Sequence, residues 1–316
     1  MQAYQPSEAY QVCRLCPRAC CIDRSAGKRG FCGADAQLRI ARAALHYWEE
    51  PCISGTEGSG AVFFTGCNLG CVFCQNYEIS HLATGMTGTT VSPQRLAEIF
   101  FSLRDQQANN INLVTADVHI PAVAEAIRFA KTQGLSIPVI FNSSAYVTVE
   151  SLHMLEGLVD VYLPDFKFYS SSKAAKYLRA ADYPQTARRA IEEMVRQVGA
   201  CVFDAKGRIQ KGVIVRHLLM PHGLLEAKMI VKELYRTYKD GIYLSLMNQY
   251  TPITAHLKDY PELRKGPSEA EYTDLIEYAL ALGVTNAYMQ EGGTVSESFI
   301  PAFDGTGVEN EEGMPV

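Results

Sequence analysis

Three closely spaced cysteines are the residues of this sequence best suited to chemistry. Cys67, Cys71 and Cys74 form a C-x3-C-x2-C pattern, and no fourth cysteine follows nearby. Three thiolates at this spacing can ligate three irons of a cubane iron–sulfur cluster, which leaves the fourth iron open. Electron carriers usually have four cysteine ligands, so an open iron predicts a site that binds a substrate or cofactor. Gly66 and Gly70 would allow the special backbone dihedral angles of such a loop.

The alternative for these cysteines is part of a structural zinc site, or no metal at all. Zinc sites more often combine two CxxC-like pairs, and here the second pair is missing. Nine of the ten cysteines lie at or before Cys74, whereas cysteines used as small apolar residues should scatter through a core. Reducing conditions also disfavour a disulfide framework, so metal binding or catalysis is the better interpretation. Cys52 and Cys201 are predicted to be ordinary thiols.

A second group of cysteines lies nearer the N-terminus. Cys13, Cys16, Cys20 and Cys32 make a four-thiolate set, with Cys21 as a spare. Arginines among them would compensate the negative charge of a closed metal site. Two identities stay open at this point: a structural zinc that staples a small module, or an auxiliary [4Fe–4S] cluster.

The elements that must position these residues alternate between strands and helices. Strands are predicted over 61–65, 111–115, 138–142, 159–166, 212–219 and 242–248, with 286–290 as a further candidate. Ser92 and Pro93 predict a helix start, Gly134 predicts a helix end, and Ser268 with Glu271 fits a capping box. Six strand–helix units in a row predict an α/β fold with a parallel sheet. An open doubly wound sheet and a barrel or partial barrel both satisfy this pattern.

Polar residues occur where the predicted strands end, which is the edge where ligands bind in both architectures. They are Asn142, Ser143 and Ser144 after the third strand, Asp165 and Lys167 at the fourth, Arg216 and His217 at the fifth, and Asn248 and Gln249 at the sixth. Burying such groups is costly unless they meet a ligand or one another. All are therefore expected to face a shared mouth. A plain ion pair between Asp165 and Lys167 is the alternative to ligand contact.

The cysteine loop after the first strand resembles the signature of the radical S-adenosylmethionine (SAM) superfamily. Phe73-Cys-Gln-Asn76 is similar to the version found in the branch related to pyruvate formate-lyase activating enzyme. Further segments that resemble a subgroup of that branch lie at 13–20, 48–55, 110–115, 161–167 and 245–252. The resemblance therefore extends over nearly the whole chain.

The resemblance implies a partial (β/α)6 TIM-type barrel and an oxidoreductase chemistry. SAM would chelate the open iron of a [4Fe–4S] cluster, and one electron would cleave it to a 5′-deoxyadenosyl radical that abstracts hydrogen from a substrate. A one-electron reductant such as ferredoxin or flavodoxin is the implied partner. In the related branch an Asp-x-Lys and an Arg help hold SAM, which carries over to Asp165, Lys167 and Arg216. Asn142 and Ser144 are candidates to reach the ribose.

The sequence departs from the superfamily pattern after the second strand. Many members carry Gly-Gly-Glu there, in contact with the methionyl amine of SAM, whereas this chain has Thr115-Ala-Asp-Val-His119. Thr115 and Asp117 are the candidate substitutes. The later Glu291-Gly-Gly293 has the wrong order and position to be that motif.

The domains expected from composition are a cysteine-rich N-terminal module and connector over 1–60, the barrel over 61–303, and a loose acidic tail over 304–316. A net charge of −5 and the lack of aromatic interleaving disfavour nucleic acid as a partner. No apolar run approaches the roughly 20 residues of a membrane span. The N-terminus lacks a signal-peptide pattern, so a cytoplasmic location is expected.

Three functions are therefore open. The first is a radical SAM enzyme whose substrate, a small molecule or a protein, is unidentified. The second is an activating enzyme that installs a glycyl radical or another modification on a partner protein. Glycyl-radical activating enzymes with extra clusters carry them after the cysteine loop, whereas the extra cysteines here precede it. The third is a non-catalytic iron–sulfur carrier, which the missing fourth cysteine disfavours.

Overall fold

A mostly parallel sheet with helices packed against it organises the chain. The computed structural model describes residues 7–80, 87–290 and 301–309. The strands are β1 (Leu38–His46), β2 (Ser59–Phe64), β3 (Thr89–Val91), β4 (Ile111–Val114), β5 (Val139–Ser143), β6 (Val161–Pro164), β7 (Val202–Phe203), β8 (Ile209–Leu218), β9 (Tyr243–Met247) and β10 (Ala287–Met289). The α-helices are α1 (Pro51–Ser54), α2 (Tyr77–Ser80), α3 (Pro93–Asp105), α4 (Ile120–Thr132), α5 (Val149–His153), α6 (Ser171–Leu178), α7 (Tyr183–Val198), α8 (Leu224–Tyr238) and α9 (Glu269–Ala281).

The spatial order of the strands follows the chain. The sheet runs β10-β9-β8-β6-β5-β4-β2-β1-β3, and β7 pairs with β8 beside it. From β2 to β10 every neighbouring pair on this path is parallel, whereas β1 is antiparallel to both β2 and β3. A doubly wound sheet reverses its strand order at a switch point. The parallel strands between β2 and β10 show no such reversal, which disfavours the doubly wound alternative.

The parallel strands are short and buried. Every residue of β2, β4, β5 and β6 is buried, which is typical of parallel strands covered on both faces. The carboxyl ends of these strands therefore meet at one edge of a rigid core. No helix of the described residues is long and apolar enough to cross a bilayer.

The helix ends follow the local signals in the sequence. The Ser92 hydroxyl accepts a hydrogen bond from the Arg95 N–H at 3.0 Å, with Pro93 in the first turn of α3. Ser268 and Glu271 form both bonds of the predicted capping box at the start of α9. These predictions are confirmed because each depends on residues within one turn of the helix.

The C-terminal segment packs on β1. The Ala43 N–H donates to the Thr306 carbonyl at 2.9 Å, and the Gly305 N–H donates to the Ala41 carbonyl at 3.0 Å. Arg42 forms an ion pair with Asp304 at 2.9 Å. The expectation of a loose tail is therefore wrong for residues 304–309, which complete backbone hydrogen bonds along β1. Residues 310–316 lie outside the described residues.

Candidate functional site

A cleft lies at the carboxyl ends of the parallel strands, where ligands bind in folds of this kind. Its lining includes Cys67, Cys71, Cys74, Thr115, Asn142, Ser144, Asp165, Lys167 and Arg216. The structure thus brings the C-x3-C-x2-C cysteines together with six of the seven residues predicted to contact SAM. The seventh, Asp117, is not part of the lining.

The cysteine loop depends on its glycines. Gly66 has φ of 91° and Gly70 has φ of 69°, in the left-handed region that side chains disfavour. A Cβ at Gly66 would also lie 3.1 Å from the Cys32 carbonyl oxygen. Both positions therefore require glycine, as the sequence predicts. The two glycines let the loop turn from β2 toward the cleft.

The three thiols occupy a buried environment with few donors. The Leu69 N–H lies 3.5 Å from Cys67 Sγ, and the Ser80 hydroxyl lies 3.2 Å from Cys74 Sγ. Burial, followed by the neighbouring Cys74 thiol, raises the pKa of Cys67 to about 11. Burial also raises the pKa of Cys71 and Cys74. Metal ligation requires the thiolate, so a bound cation must supply the stabilisation that this environment lacks.

The donor set fits a cluster better than a single ion. Across residues 7–80, 87–290 and 301–309, no three His, Cys, Asp or Glu side chains are grouped closely enough to hold one metal ion. The thiolates of a cubane bind different irons and therefore stand further apart than the ligands of a single ion. Cys67, Cys71 and Cys74 line one cleft, which has space for a ligand. Three soft donors in this arrangement suit a cubane with one free iron.

A chain of ion pairs forms part of the cleft wall. Asp165 accepts from Lys167 Nζ at 2.6 Å and from Arg216 Nε at 3.0 Å. Arg216 also reaches the Glu49 carboxylate at 3.2 Å and the Asn142 amide oxygen at 2.6 Å. The ion pair foreseen between Asp165 and Lys167 is present, as part of a larger network with two acidic and two basic groups.

Burial and neighbouring charges act in opposite directions on these groups. Burial pushes the pKa of Asp165 upward, but the adjacent Arg216 and Lys167 outweigh it and hold that pKa below its usual value. Burial raises the pKa of Glu49 in spite of the favourable charge of Arg216. Asp165 is therefore the firmly ionised acid of the network, and its charge orients both cations toward the cleft.

Thr115 and Asp117 have different positions in the site. Thr115 has φ of 61°, which is strained for a β-branched residue, and its N–H donates to the Asn142 carbonyl at 2.9 Å. Asp117 is only 1% exposed and accepts a hydrogen bond from the Ser143 hydroxyl. Burial raises the pKa of Asp117 to about 6. Thr115 thus borders the cleft, whereas Asp117 lies behind the wall and supports Ser143.

One strand-end residue faces the other way. His217 is 3% exposed, and its Nδ1 lies 2.7 Å from the Phe166 carbonyl oxygen. Successive side chains of a strand point to opposite faces. Because Arg216 faces the cleft, its neighbour His217 faces the helix layer, and the expectation that both face the mouth is wrong.

Two site residues were not predicted from the sequence. The Glu49 carboxylate accepts from the Asn112 amide at 2.9 Å as well as from Arg216. The Tyr183 hydroxyl at the start of α7 donates to the Asp165 carbonyl at 2.7 Å and accepts from the Lys167 N–H at 3.0 Å. Glu49 belongs to the 48–55 segment that carries part of the resemblance, which was the available signal. Nothing local marks Tyr183.

The N-terminal cysteines lie in a separate pocket. Cys13, Cys16, Cys20 and Cys32 all line it, together with Arg18 and Arg24. Cys21 is exposed and is not part of this lining. The four residues predicted as one set are therefore brought together. The Glu291-Gly-Gly293 segment lies outside the described residues.

Comparisons with known proteins add the following findings. No protein-family model matches this chain. An uncharacterized protein of Methanocaldococcus jannaschii is 29% identical over 276 residues, which cover 85% of this chain and 75% of the relative. The solved structures to which the chain is similar include a radical SAM methyltransferase.

Among these structures, SuiB of Streptococcus suis bound to SAM has a TM-score of 0.47 at 11% identity, over 72% of this chain and 49% of that chain. A radical SAM methyltransferase of Sphaerobacter thermophilus has a TM-score of 0.48 at 12% identity, over 73% and 66%. This chain thus spans about half the length of the SuiB chain. Likenesses of this size establish neither a fold nor a shared activity, so the functional case rests on the cleft.

Proposed function

We propose that this chain is a radical SAM enzyme built on a partial (β/α)6 barrel. The observation that carries the proposal is the shared cleft: three thiols from one loop after β2 line the same cleft as a network of charged strand-end residues. The strand order without reversal supports the barrel interpretation. The division into segments at residues 60 and 303 and the cytoplasmic location stay predictions.

Cys67, Cys71 and Cys74 would hold the [4Fe–4S] cluster through their thiolates. When bound, this group supplies the electron that cleaves SAM to methionine and a 5′-deoxyadenosyl radical, which takes hydrogen from the substrate. The chain's own contribution is to bring three cysteines of one loop to the cleft, with Cys71 buried and Cys67 and Cys74 partly buried. Burial excludes water from the reacting atoms and protects a reactive radical from side reactions.

The charged wall would hold SAM. SAM carries an amino group, a carboxylate and a sulfonium, so it needs partners of both signs. Lys167 and Arg216 can meet the carboxylate, and Asp165 can meet a positive group or a ribose hydroxyl. Asn142 and Ser144 line the same cleft and can reach the ribose. Thr115 and Asp117 remain the proposed substitutes for the missing Gly-Gly-Glu contact. Thr115 would act directly, and Asp117 would act through Ser143.

A ferredoxin- or flavodoxin-type donor would supply the electron. The N-terminal cysteines would hold a second metal centre, and the substrate would enter through the mouth of the cleft.

Electron paramagnetic resonance (EPR) of the anaerobically reconstituted and reduced protein tests the proposal. We expect a reduced [4Fe–4S] signal that shifts when SAM is added, because SAM binds the open iron. Cys71→Ser should remove this SAM-sensitive signal. Cys201→Ser, whose thiol is remote from the cleft lining, is the matched control and should keep it. A cluster signal that ignores SAM would show four protein ligands and would favour the carrier function.

A further inference from the structure

Four thiols surround one small cavity on the N-terminal side of the cysteine loop. Cys13, Cys16, Cys20 and Cys32 all line one small pocket. The remaining walls are mostly apolar. Gly30 makes room for one of the thiols, since a Cβ there would lie 2.7 Å from Cys20 Sγ. Glycine at position 30 therefore lets the Cys20 thiol lie in the pocket lining.

The spacing of the thiols distinguishes between the two metals considered for this set. Zinc–sulfur bonds are about 2.3 Å long, so four sulfurs around one zinc stand about 3.8 Å apart, in contact with one another. Within the described residues no three of these thiols are grouped closely enough to hold one metal ion. Thiols that line one pocket at a wider spacing fit a polyatomic group, and the common polyatomic group with four cysteine ligands is an iron–sulfur cluster.

A buried cation beside the pocket calls for an anionic occupant. Arg24 is 1% exposed and lines the pocket, with Nη1 3.8 Å from Cys13 Sγ. Its other donors go to the Val118 carbonyl at 2.8 Å and the Asp35 carbonyl at 2.7 Å. Within the described residues none of these partners is a carboxylate. A buried charge without a counter-charge is costly, and a cluster with four thiolates is a net anion that would balance it.

The pocket is connected directly to the catalytic loop. Arg18, also in the pocket lining, donates to the Asn68 carbonyl at 3.0 Å and to the Leu69 carbonyl at 3.3 Å. The Cys32 carbonyl oxygen lies 3.1 Å from the position that a Cβ would take at Gly66, the residue before Cys67. The loop that carries Cys67 thus packs directly against the N-terminal set.

We propose that Cys13, Cys16, Cys20 and Cys32 hold a second [4Fe–4S] cluster that relays electrons to the Cys67 site. One electron passes from a ferredoxin- or flavodoxin-type donor to the N-terminal cluster, which goes from the 2+ to the 1+ state. It then passes to the Cys67 cluster, and the N-terminal cluster returns to 2+. No bond forms or breaks, and no proton moves. The relay role rests on the proposed function, whereas the presence of the cluster does not.

Metal content of the protein, reconstituted anaerobically with iron and sulfide, tests for the cluster. The wild type should hold about eight irons per chain, and the Cys16→Ser/Cys32→Ser double variant about four. Cys21→Ser, in the same segment but exposed, should match the wild type. Zinc near one per chain with about four irons would overturn the proposal in favour of a structural zinc. About four irons without zinc, in both the wild type and the double variant, would show that the N-terminal cysteines bind no cluster.

If the double variant does not fold, EPR of the reduced wild type decides. Two neighbouring reduced clusters should give a spectrum broadened by mutual coupling, and a spectrum of one isolated cluster would overturn the proposal.

Reduction kinetics without SAM test the relay. The measured quantity is the rate of reduction of the Cys67 cluster by flavodoxin divided by its rate of reduction by dithionite. We expect this ratio to fall about tenfold or more in the double variant, because dithionite is small enough to reach the cleft directly and does not need the relay. Cys21→Ser should leave the ratio unchanged. An unchanged ratio in the double variant would overturn the relay. Because no SAM is present, this result is independent of whether the protein cleaves SAM.

Discussion

Asp165 controls the charge balance of the cleft at the scale of single residues. One carboxylate, 17% exposed, faces the ammonium of Lys167 and the guanidinium of Arg216. It is the only acid that pairs with Lys167 in the part of the chain that the structure describes, whereas Arg216 also pairs with Glu49 and lies near the charge of Glu50. Removing one partner of a buried ion pair leaves an uncompensated charge.

Asp165→Asn should therefore destabilise the protein, by less than the roughly 3–5 kcal/mol of a fully buried pair, and weaken SAM binding. The free energy of urea unfolding and SAM titration by calorimetry measure the two effects. Glu262→Gln removes an exposed ion pair with Lys176 and should change both only slightly. Equal losses in the two variants would contradict the special role of Asp165.

Thr115 is a second position where a single residue can be tested. Its φ of 61° costs a β-branched residue on the order of 1–2 kcal/mol, and asparagine tolerates this region better. Thr115→Asn should raise the free energy of unfolding by up to about 1 kcal/mol. The urea midpoint measures the change, and a clear decrease would show that the threonine side chain stabilises more than its backbone costs.

At the scale of elements, the sequence predicts what local residues determine. The positions of the seven parallel strands between β2 and β10 follow from short apolar runs. The starts of α3 and α9 follow from Ser92 and Ser268. The antiparallel pairing of β1 with β2 and β3 joins segments without a distinctive local pattern. Glu49 enters the site through this pairing, so the ion pair between Glu49 and Arg216 was not predictable from residue spacing.

Two buried histidines contact the backbone just after two strand ends, and their low pKa values predict that the protein loses stability in acid. His119 contacts the Thr65 carbonyl at 2.9 Å after β2, and His217 contacts the Phe166 carbonyl after β6. Burial lowers the pKa of His119 to about 3 and that of His217 to about 4. Both values lie below the usual 6.5 of an unfolded chain, so the unfolded state binds more protons below that pH.

Stability should accordingly fall as the pH drops from about 6.5 toward 4, with a slope near 2.7 kcal/mol per pH unit from both groups together. His119→Gln keeps a donor for the Thr65 carbonyl and should remove about half of that slope. Urea unfolding of the iron-free chain at several pH values measures it. An unchanged slope in the variant would show that His119 is protonated in the folded state.

At the scale of the whole molecule, Arg18 joins the N-terminal segment to the core. It donates to carbonyls in two distant places, Asn68 and Leu69 on the cysteine loop and Leu178 and Arg179 at the end of α6. Its guanidinium also lies 3.8 Å from the centre of the Phe31 ring. Contacts this far apart in sequence leave no local pattern. The cysteine spacing therefore predicted the N-terminal set but not how it docks.

Arg18→Gln should loosen the N-terminal segment without unfolding the sheet. Hydrogen bonds to charged groups contribute about 1.5–3 kcal/mol each, so local opening becomes much more frequent. Limited proteolysis should cut the variant within residues 7–35 faster than the wild type, while the cleavage rate elsewhere stays similar. The exposed Arg14 provides the control, Arg14→Gln. Equal protection of the segment in both variants would contradict the docking role of Arg18.

The central claim is that Cys67, Cys71 and Cys74 hold a cluster with an open iron that cleaves SAM. Product analysis of the anaerobically reconstituted protein, incubated with SAM and dithionite, tests it most directly. The account predicts 5′-deoxyadenosine and methionine in equal amounts from the wild type and from Cys201→Ser, and neither product from Cys71→Ser. Absence of 5′-deoxyadenosine from a wild-type sample whose iron and sulfide content shows an intact cluster would contradict it.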